Sequence, residues 1–277
     1  MTKKKIAIMA SAFLMSATFA GCATATADVP EENNNEIIEQ LPQIEAPEVP
    51  AVSVPEPEPQ PEPPKVKKVS YIKVNSDNVN IRSGAGTGYS SVGTAEKSTL
   101  YAMLGEENGW YKTTYKNKTV YISKQYCVIV DMAKSDNEKV EAVIAEGTKM
   151  LGVPYVYGAT RYHDGNGKLL KGFSTNAFDC SSLMQYMFYK GADKLLQVNT
   201  RTQIYQGTTV KKSELKRGDL IFFTNASRKN NKGIERVGHV AMYLGDNYIL
   251  HTASDYAKIE QISTTRWSYY IQTQRMI

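Results

Sequence analysis

The sequence predicts an α+β domain at its C-terminal end, preceded by a small all-β domain and a spacer with no fold of its own. Three observations carry this. Ten of the eleven prolines fall in residues 28–68, interleaved with glutamate and glutamine. Residues 69–131 alternate short β-rich runs with turn clusters, as the short strands of a small barrel do. From residue 137 onward, two amphipathic helical patterns are followed by several strand patterns, the order expected of α+β. At 277 residues the chain is long enough for two such domains.

Residues 1–22 read as an export leader: Lys3, Lys4 and Lys5, an apolar stretch from Ile6 to Phe19 too short to span a bilayer comfortably, then Ala20-Gly21-Cys22. Small residues before a cysteine resemble a bacterial lipobox, in which Cys22 is lipidated and becomes the mature N-terminus. Phe19 departs from the leucine usual three positions before that cysteine. The alternative is cleavage after Ala25 or Ala27, which releases a soluble secreted protein. Both readings place the folded part outside the cytoplasm, in the cell envelope, and the first attaches it to the membrane through a lipid. The net charge of +5 conceals an asymmetry, because residues 28–64 hold Asp28 and nine glutamates with no lysine or arginine. The folded part is therefore basic, and export removes nucleic acid as its partner.

Residues 23–68 form the spacer. Pro55-Glu56-Pro57-Glu58-Pro59 and its continuation cannot bury enough apolar surface to fold, and a disordered Pro/Glu-rich linker is expected. In polyproline geometry it would reach on the order of 100 Å, enough to carry a domain away from a lipid anchor.

The all-β segment spans residues 69–131. Val79-Asn80-Ile81-Arg82 precedes a glycine-rich loop, and Gly109-Trp110-Tyr111-Lys112 and Thr119-Val120-Tyr121-Ile122-Ser123 follow as strands. No catalytic cluster is visible there. Three cysteines are present, Cys22, Cys127 and Cys180, too few for a disulfide framework. Tyr126-Cys127-Val128-Ile129-Val130 reads as a buried strand, in which Cys127 acts as a small hydrophobe.

The last domain, residues 137–277, opens with Ser135-x-x-Glu138, a capping-box pattern, and a helix from about 137 to 151 with Val140, Val143, Ile144, Gly147, Met150 and Leu151 on one stripe. Gly152 and Pro154 end it. The second helix starts at Phe178-Asp179-Cys180-Ser181. Leu183, Met184, Met187 and Phe188 follow Cys180 at i+3, i+4, i+7 and i+8, with Asp179 as N-cap and Gly191 as stop. A thiol in the first turn faces unpaired backbone N–H groups that stabilise a thiolate. A buried structural cysteine on the same stripe remains an alternative on this segment alone.

Two of the three histidines lie in Val237 to Ala253, two strand patterns around Gly245-Asp246-Asn247. With a three-residue loop, Leu244 faces Tyr248 and His239 faces Ala253, so His239 and His251 are diagonal neighbours on one face; a two-residue loop places them on opposite faces. A nucleophilic cysteine needs a base that also protonates the leaving amine, and histidine suits both tasks.

Residues 137–277 resemble the NlpC family of papain-like cell-wall peptidases. Phe178-Asp179-Cys180-Ser181 is similar to its nucleophile motif, Gly238-His239-Val240 to its base motif, and His251 to its third catalytic position. Pro154-Tyr155-Val156-Tyr157-Gly158 and Arg217-Gly218-Asp219-Leu220 are similar to two further motifs. Residues 69–131 resemble the bacterial SH3-like domain. The resemblance implies a papain-like fold and hydrolysis of peptidoglycan stem peptides or muropeptides, commonly at the bond between D-glutamate and a diamino acid. Cys180 attacks, His239 transfers the proton and His251 orients it. Tyr155 aids the oxyanion, while Asp179 and Ser181 contact the stem peptide, in some relatives its free N-terminal amine; for Asp179 the alternative is helix capping alone. For the SH3-like domain it implies wall binding, against the alternative that Trp110 and the tyrosines fill a small core. Ser182 and Ala159 stand where the family has glycine, and residues 160–177 form a longer loop, in which His163 is expected to face solvent as a bystander.

A zinc site built from Cys180, His239 and His251 lacks any close-spaced ligand pair, so no metal and no cofactor is expected. A monomer is expected. The alternatives kept open are a Cys–His wall amidase or acyltransferase and a non-catalytic wall-binding lipoprotein.

Overall fold

Eight short strands open the described chain: β1 (Lys68–Val74), β2 (Val79–Arg82), β3 (Ser91–Ala95), β4 (Leu100–Ala102), β5 (Gly105–Glu107), β6 (Trp110–Tyr115), β7 (Lys118–Ser123) and β8 (Cys127–Ala133). The computed structural model describes residues 66–277, so the leader, Cys22 and the proline-rich spacer lie outside the described residues. These strands divide between two antiparallel sheets, β4-β1-β8 and β3-β2-β7-β6-β5. In β6, Tyr111, Thr113 and Tyr115 point inward at period two and join Ile72, Ile81, Val120 and Ile122 in the core. The tyrosines thus fill the core, whereas Trp110 faces a cavity of about 430 Å³ with Asn80, Arg82 and Tyr126. The buried strand expected around Cys127 is only half buried. Because β8 is an edge strand, Val128 and Ile129 are exposed and Cys127 and Met132 turn inward.

The second half begins with α1 (Glu138–Lys149) and, after a long loop, α2 (Cys180–Ala192). The expected capping box at Ser135 is not formed: Asn137 is the N-cap, its side chain accepting from the Lys139 N–H, while the Ser135 N–H donates to Glu141. Nor is Gly191 the stop of α2. The helix runs past it to a left-handed cap at Asp193 (φ 52°), and a Cβ at Gly191 would lie 2.5 Å from the Val143 backbone. Its small size is needed for the close approach of α1 and α2.

The remaining elements are α3 (Thr200–Gln203), β9 (Thr208–Val210), β10 (Leu220–Phe223), β11 (His239–Gly245), β12 (Tyr248–Ala253), β13 (Tyr256–Gln261), α4 (Thr264–Ser268) and β14 (Tyr270–Arg275). The six strands form one antiparallel sheet in the order β13-β12-β11-β10-β14-β9, and α2 packs on β11 and β12. Helices first and sheet after give the α+β arrangement.

The β6–β7 turn seals the end of α1. Lys116 and Asn117 donate backbone N–H to the carbonyls of Leu151 and Lys149 at 2.8 and 2.7 Å, supplying partners that a helix C-terminus lacks. The Tyr115 ring lies flat against Gly152, where no side chain would fit. Arg217 adds a second tie: its guanidinium meets Glu141 at 2.7 Å, the Leu244 carbonyl at 2.8 Å and the Tyr71 hydroxyl at 2.8 Å.

Candidate active site

Cys180 is the first residue of α2, and Asp179 caps it by accepting from the Ser182 N–H at 2.8 Å. Ser182, in place of glycine, completes a reciprocal box: its hydroxyl accepts from the Asp179 N–H at 2.9 Å. The backbone N–H groups of Ser181 and Val240 favour the ionised Cys180 sulfur. Val240 follows His239 on β11, so the same strand that contacts the thiol carries the imidazole.

The two histidines meet. His239 Nε2 and His251 Nδ1 are 2.9 Å apart, both rings buried. The route to this register differs from expectation: the loop is the two-residue turn Asp246-Asn247, with φ of 47° and 64°, and Gly245 pairs with Tyr248. A bulge between Tyr243 and Gly245 adds back one residue, so Met242 pairs with Leu250 and the histidines return to one face.

Glu260, which sequence reasoning missed, continues the row, its Oε1 lying 2.9 Å from His251 Nε2 and 3.2 Å from Arg266. On β13, Lys258 pairs with His251, so Glu260 is its diagonal neighbour, readable by the rule that paired the histidines. The carboxylate fixes the protons. His251 donates from Nε2 to Glu260 and accepts at Nδ1, so His239 donates from Nε2 and keeps Nδ1 free as a base.

Burial, then the charges of His251 and Arg266, hold His239 well below the ordinary histidine range. Burial lowers His251 as well, although Glu260 works against it. Burial also opposes ionisation of Glu260, but the His251 hydrogen bond and neighbouring positive charges outweigh it and hold the carboxyl at about 2. The Cys180 thiol is pushed up to about 12 by burial and by Asp179, against the two N–H groups and Arg161. The expected thiolate-favouring helix terminus is thus present but outweighed by burial. Burial also raises Cys127 to about 12, so geometry, not acidity, separates the two cysteines.

Two cavities flank the row and share Tyr155 and Gly238. One, of about 340 Å³, holds His239, Ser254, Ser263 and Arg266; the other, of about 150 Å³, holds Cys180, Asp179, Arg161 and Arg201. Burial and the nearby Cys180 and Asp179 raise Tyr155 to about 12, so its hydroxyl stays a donor. Ser181 is buried and donates to Asp179 Oδ1 at 3.0 Å. His163 is not a solvent-facing bystander. It is fully buried, accepts from the Gly165 N–H at 3.0 Å, and sits with Tyr162 and Phe173 against Tyr186 and Tyr189. The long loop is thereby fastened to α2.

The sequence model described as the NlpC/P60 family matches residues 152–276, and that of the bacterial SH3 domain matches residues 77–127. The C-terminal half is an NlpC/P60 domain. Among curated relatives, the peptidoglycan endopeptidase RipA of Mycolicibacterium smegmatis is 34% identical over 137 residues, 48% of this chain and 25% of that protein. The γ-D-glutamyl-L-lysine dipeptidyl-peptidase of Bacillus subtilis is 27% identical over 171 residues, 62% of this chain and 50% of its own. The chain thus spans half or less of these two relatives. A solved NLP/P60-family structure from Staphylococcus aureus, described as similar to lipoprotein, aligns at 28% identity over 55% of this chain and 46% of its own, with a TM-score of 0.41.

Proposed function

We propose that this protein is an exported cysteine endopeptidase that cuts peptidoglycan stem peptides, at the bond between D-glutamate and the following diamino acid. The observation that carries the reading is the buried row His239, His251, Glu260, joined at 2.9 Å and 2.9 Å, together with a cysteine at the N-terminus of the helix that packs on β11. The family match and the names of the relatives support the reaction class.

In this mechanism His239 Nδ1 takes the Cys180 proton as the sulfur attacks the stem-peptide carbonyl. Backbone N–H near Cys180, with the Tyr155 hydroxyl, holds the oxyanion. The imidazolium, oriented by His251 and Glu260, returns the proton to the departing amine as the C–N bond breaks and leaves a thioester. Water then gives its proton to His239 and attacks the thioester, freeing the glutamyl carboxylate and restoring the thiol.

Digestion of defined muropeptides by the wild type and Cys180→Ala, with the new termini identified by mass spectrometry, tests this. The expected product is a new amine on the diamino acid, lost on the order of a thousand-fold or more in the variant. A freed lactyl group would instead identify an amidase, a newly joined peptide an acyltransferase, and unchanged wall turnover in Cys180→Ala a binding protein. The leader supports an extracytoplasmic, lipid-anchored protein, for which Cys22→Ser should move the protein from the membrane fraction into the medium.

A further inference from the structure

The two cavities hold different halves of the substrate. The proton donor must reach the leaving nitrogen, so the leaving half occupies the cavity of His239. The acyl half, which stays on sulfur, occupies the cavity of Cys180. This assignment rests on the peptidase reading above.

The acyl cavity has one carboxylate among its lining residues, Asp179. A carboxylate has about four acceptor positions, and here three are taken by hydrogen bonds and the charge is met by an ion pair. Oδ1 accepts from the Ser182 N–H at 2.8 Å and the Ser181 hydroxyl at 3.0 Å. Oδ2 accepts from the Gly158 N–H at 3.2 Å and forms an ion pair with the Arg161 guanidinium at 2.8 Å. Arg161 is itself held by the carbonyls of Val198 and Ala159, each at 2.5 Å, and reaches the Ser181 oxygen at 3.3 Å. With its side chain 6% exposed and its charge paired, Asp179 has little to offer a ligand. Two further guanidiniums, Arg201 and Arg228, line the same cavity. Glu235 bridges them at 3.4 and 3.1 Å, but its side chain is 57% exposed and lies outside the lining. The wall that meets the acyl half is therefore cationic, and its single acid is sealed.

We propose that this cavity takes a stem peptide whose N-terminus is acylated and whose acyl residue carries a free carboxylate, and rejects a peptide that ends in a free ammonium. In a γ-linked glutamate the side-chain carboxyl is the scissile acyl group, so the α-carboxylate remains free and suits Arg201 and Arg228. The alanine before it ends either in an amide to the lactyl group of the glycan or in an ammonium. The amide is neutral. The ammonium finds the guanidiniums of Arg201 and Arg228 and no unpaired carboxylate. The substrate is thus the peptide still joined to its glycan, not a fragment already cut free.

Comparing kcat/KM for a muramyl tripeptide and the same tripeptide with a free amine, at pH 6.5, tests this. The muramyl peptide should be preferred by about tenfold or more, since like-charge juxtaposition is costly. The gap should narrow as pH rises through the free amine's pKa, about 8. Amidating the glutamyl α-carboxylate of the muramyl peptide should lower its rate, and Arg228→Gln should remove that difference. Arg161→Gln, which opens Asp179 Oδ2, should raise the relative rate on the free amine. If that variant does not fold, the wild-type substrate pair still decides. Equal or faster cleavage of the free-amine peptide overturns the proposal. Cleavage of neither peptide, by wild type as by Cys180→Ala, overturns the peptidase reading instead.

Discussion

At the scale of single residues, the proposed mechanism hangs on which nitrogen of His239 carries the proton. Glu260 decides it through His251, so Glu260→Ala should let His251 carry its proton on Nδ1 and leave His239 in the wrong tautomer. A fall in kcat of on the order of 10–100-fold, with KM little changed, is expected. Glu260→Gln should recover part of it, because its amide oxygen still accepts from His251 Nε2; an equal loss in both variants would assign Glu260 to charge alone. The pH profile follows from the same row. His239 must be neutral to act as base, and burial and its neighbours depress its pKa. Activity should therefore be full at pH 6.5, persist somewhat below it, and be lost only as pH falls through the depressed value. An acid limb of kcat/KM at or above 6.5 would contradict the buried neutral imidazole. Much of this row was legible in the sequence, since strand alternation pairs His239 with His251. Glu260 obeys the same rule one hairpin later but sits in no motif. Arg161 was not legible at all, because only the fold of the long loop brings it to Asp179.

Elements show where local signals run out. Gly245-Asp246-Asn247 announced a turn, yet its spacing allowed two registers, and a bulge reconciles a two-residue loop with the face pairing of a longer one. Gly191 read as a helix stop, and only the packing of α1 on α2 reveals it as a point of close approach. His163 looked solvent-facing because Tyr189, the aromatic ring of α2 beside it, lies more than twenty residues away in sequence. The strongest tie between elements is Arg217, which joins α1 through Glu141, the end of β11 through Leu244 and β1 through Tyr71. Both side chains of the ion pair are largely buried. Arg217→Ala leaves Glu141 without its partner and should cost about 3–5 kcal/mol in denaturant unfolding. The double variant Arg217→Met, Glu141→Met should regain most of that; failure to regain it would move the role of Arg217 to its bonds with Leu244 and Tyr71.

For the whole molecule, the β domain and the NlpC/P60 domain meet next to the motif that carries Tyr155. The β6–β7 turn caps α1 through Leu151 and Lys149, Thr114 donates to the Thr148 carbonyl at 3.1 Å, and the Tyr115 ring covers Gly152. Three residues later the chain reaches Tyr155, whose N–H donates to Asp255 and whose neighbour Val156 donates to Phe178, the residue before Asp179. The SH3-type domain thus supports one wall of the site, apart from anything its Trp110 cavity binds. Tyr115→Ala removes a buried ring and opens the helix end to water. It should cost about 3–5 kcal/mol by analogy with other large-to-small core changes. It should also lower kcat/KM for muramyl peptide under conditions where the variant remains folded, because the Tyr155 segment loses its backing. Trp110→Ala, on the far side of the same strand, should leave kcat/KM on soluble muropeptide unchanged. A Tyr115→Ala protein that is less stable but fully active would limit the β domain to holding the fold, whereas loss of activity in Trp110→Ala would show that its cavity acts on the site directly.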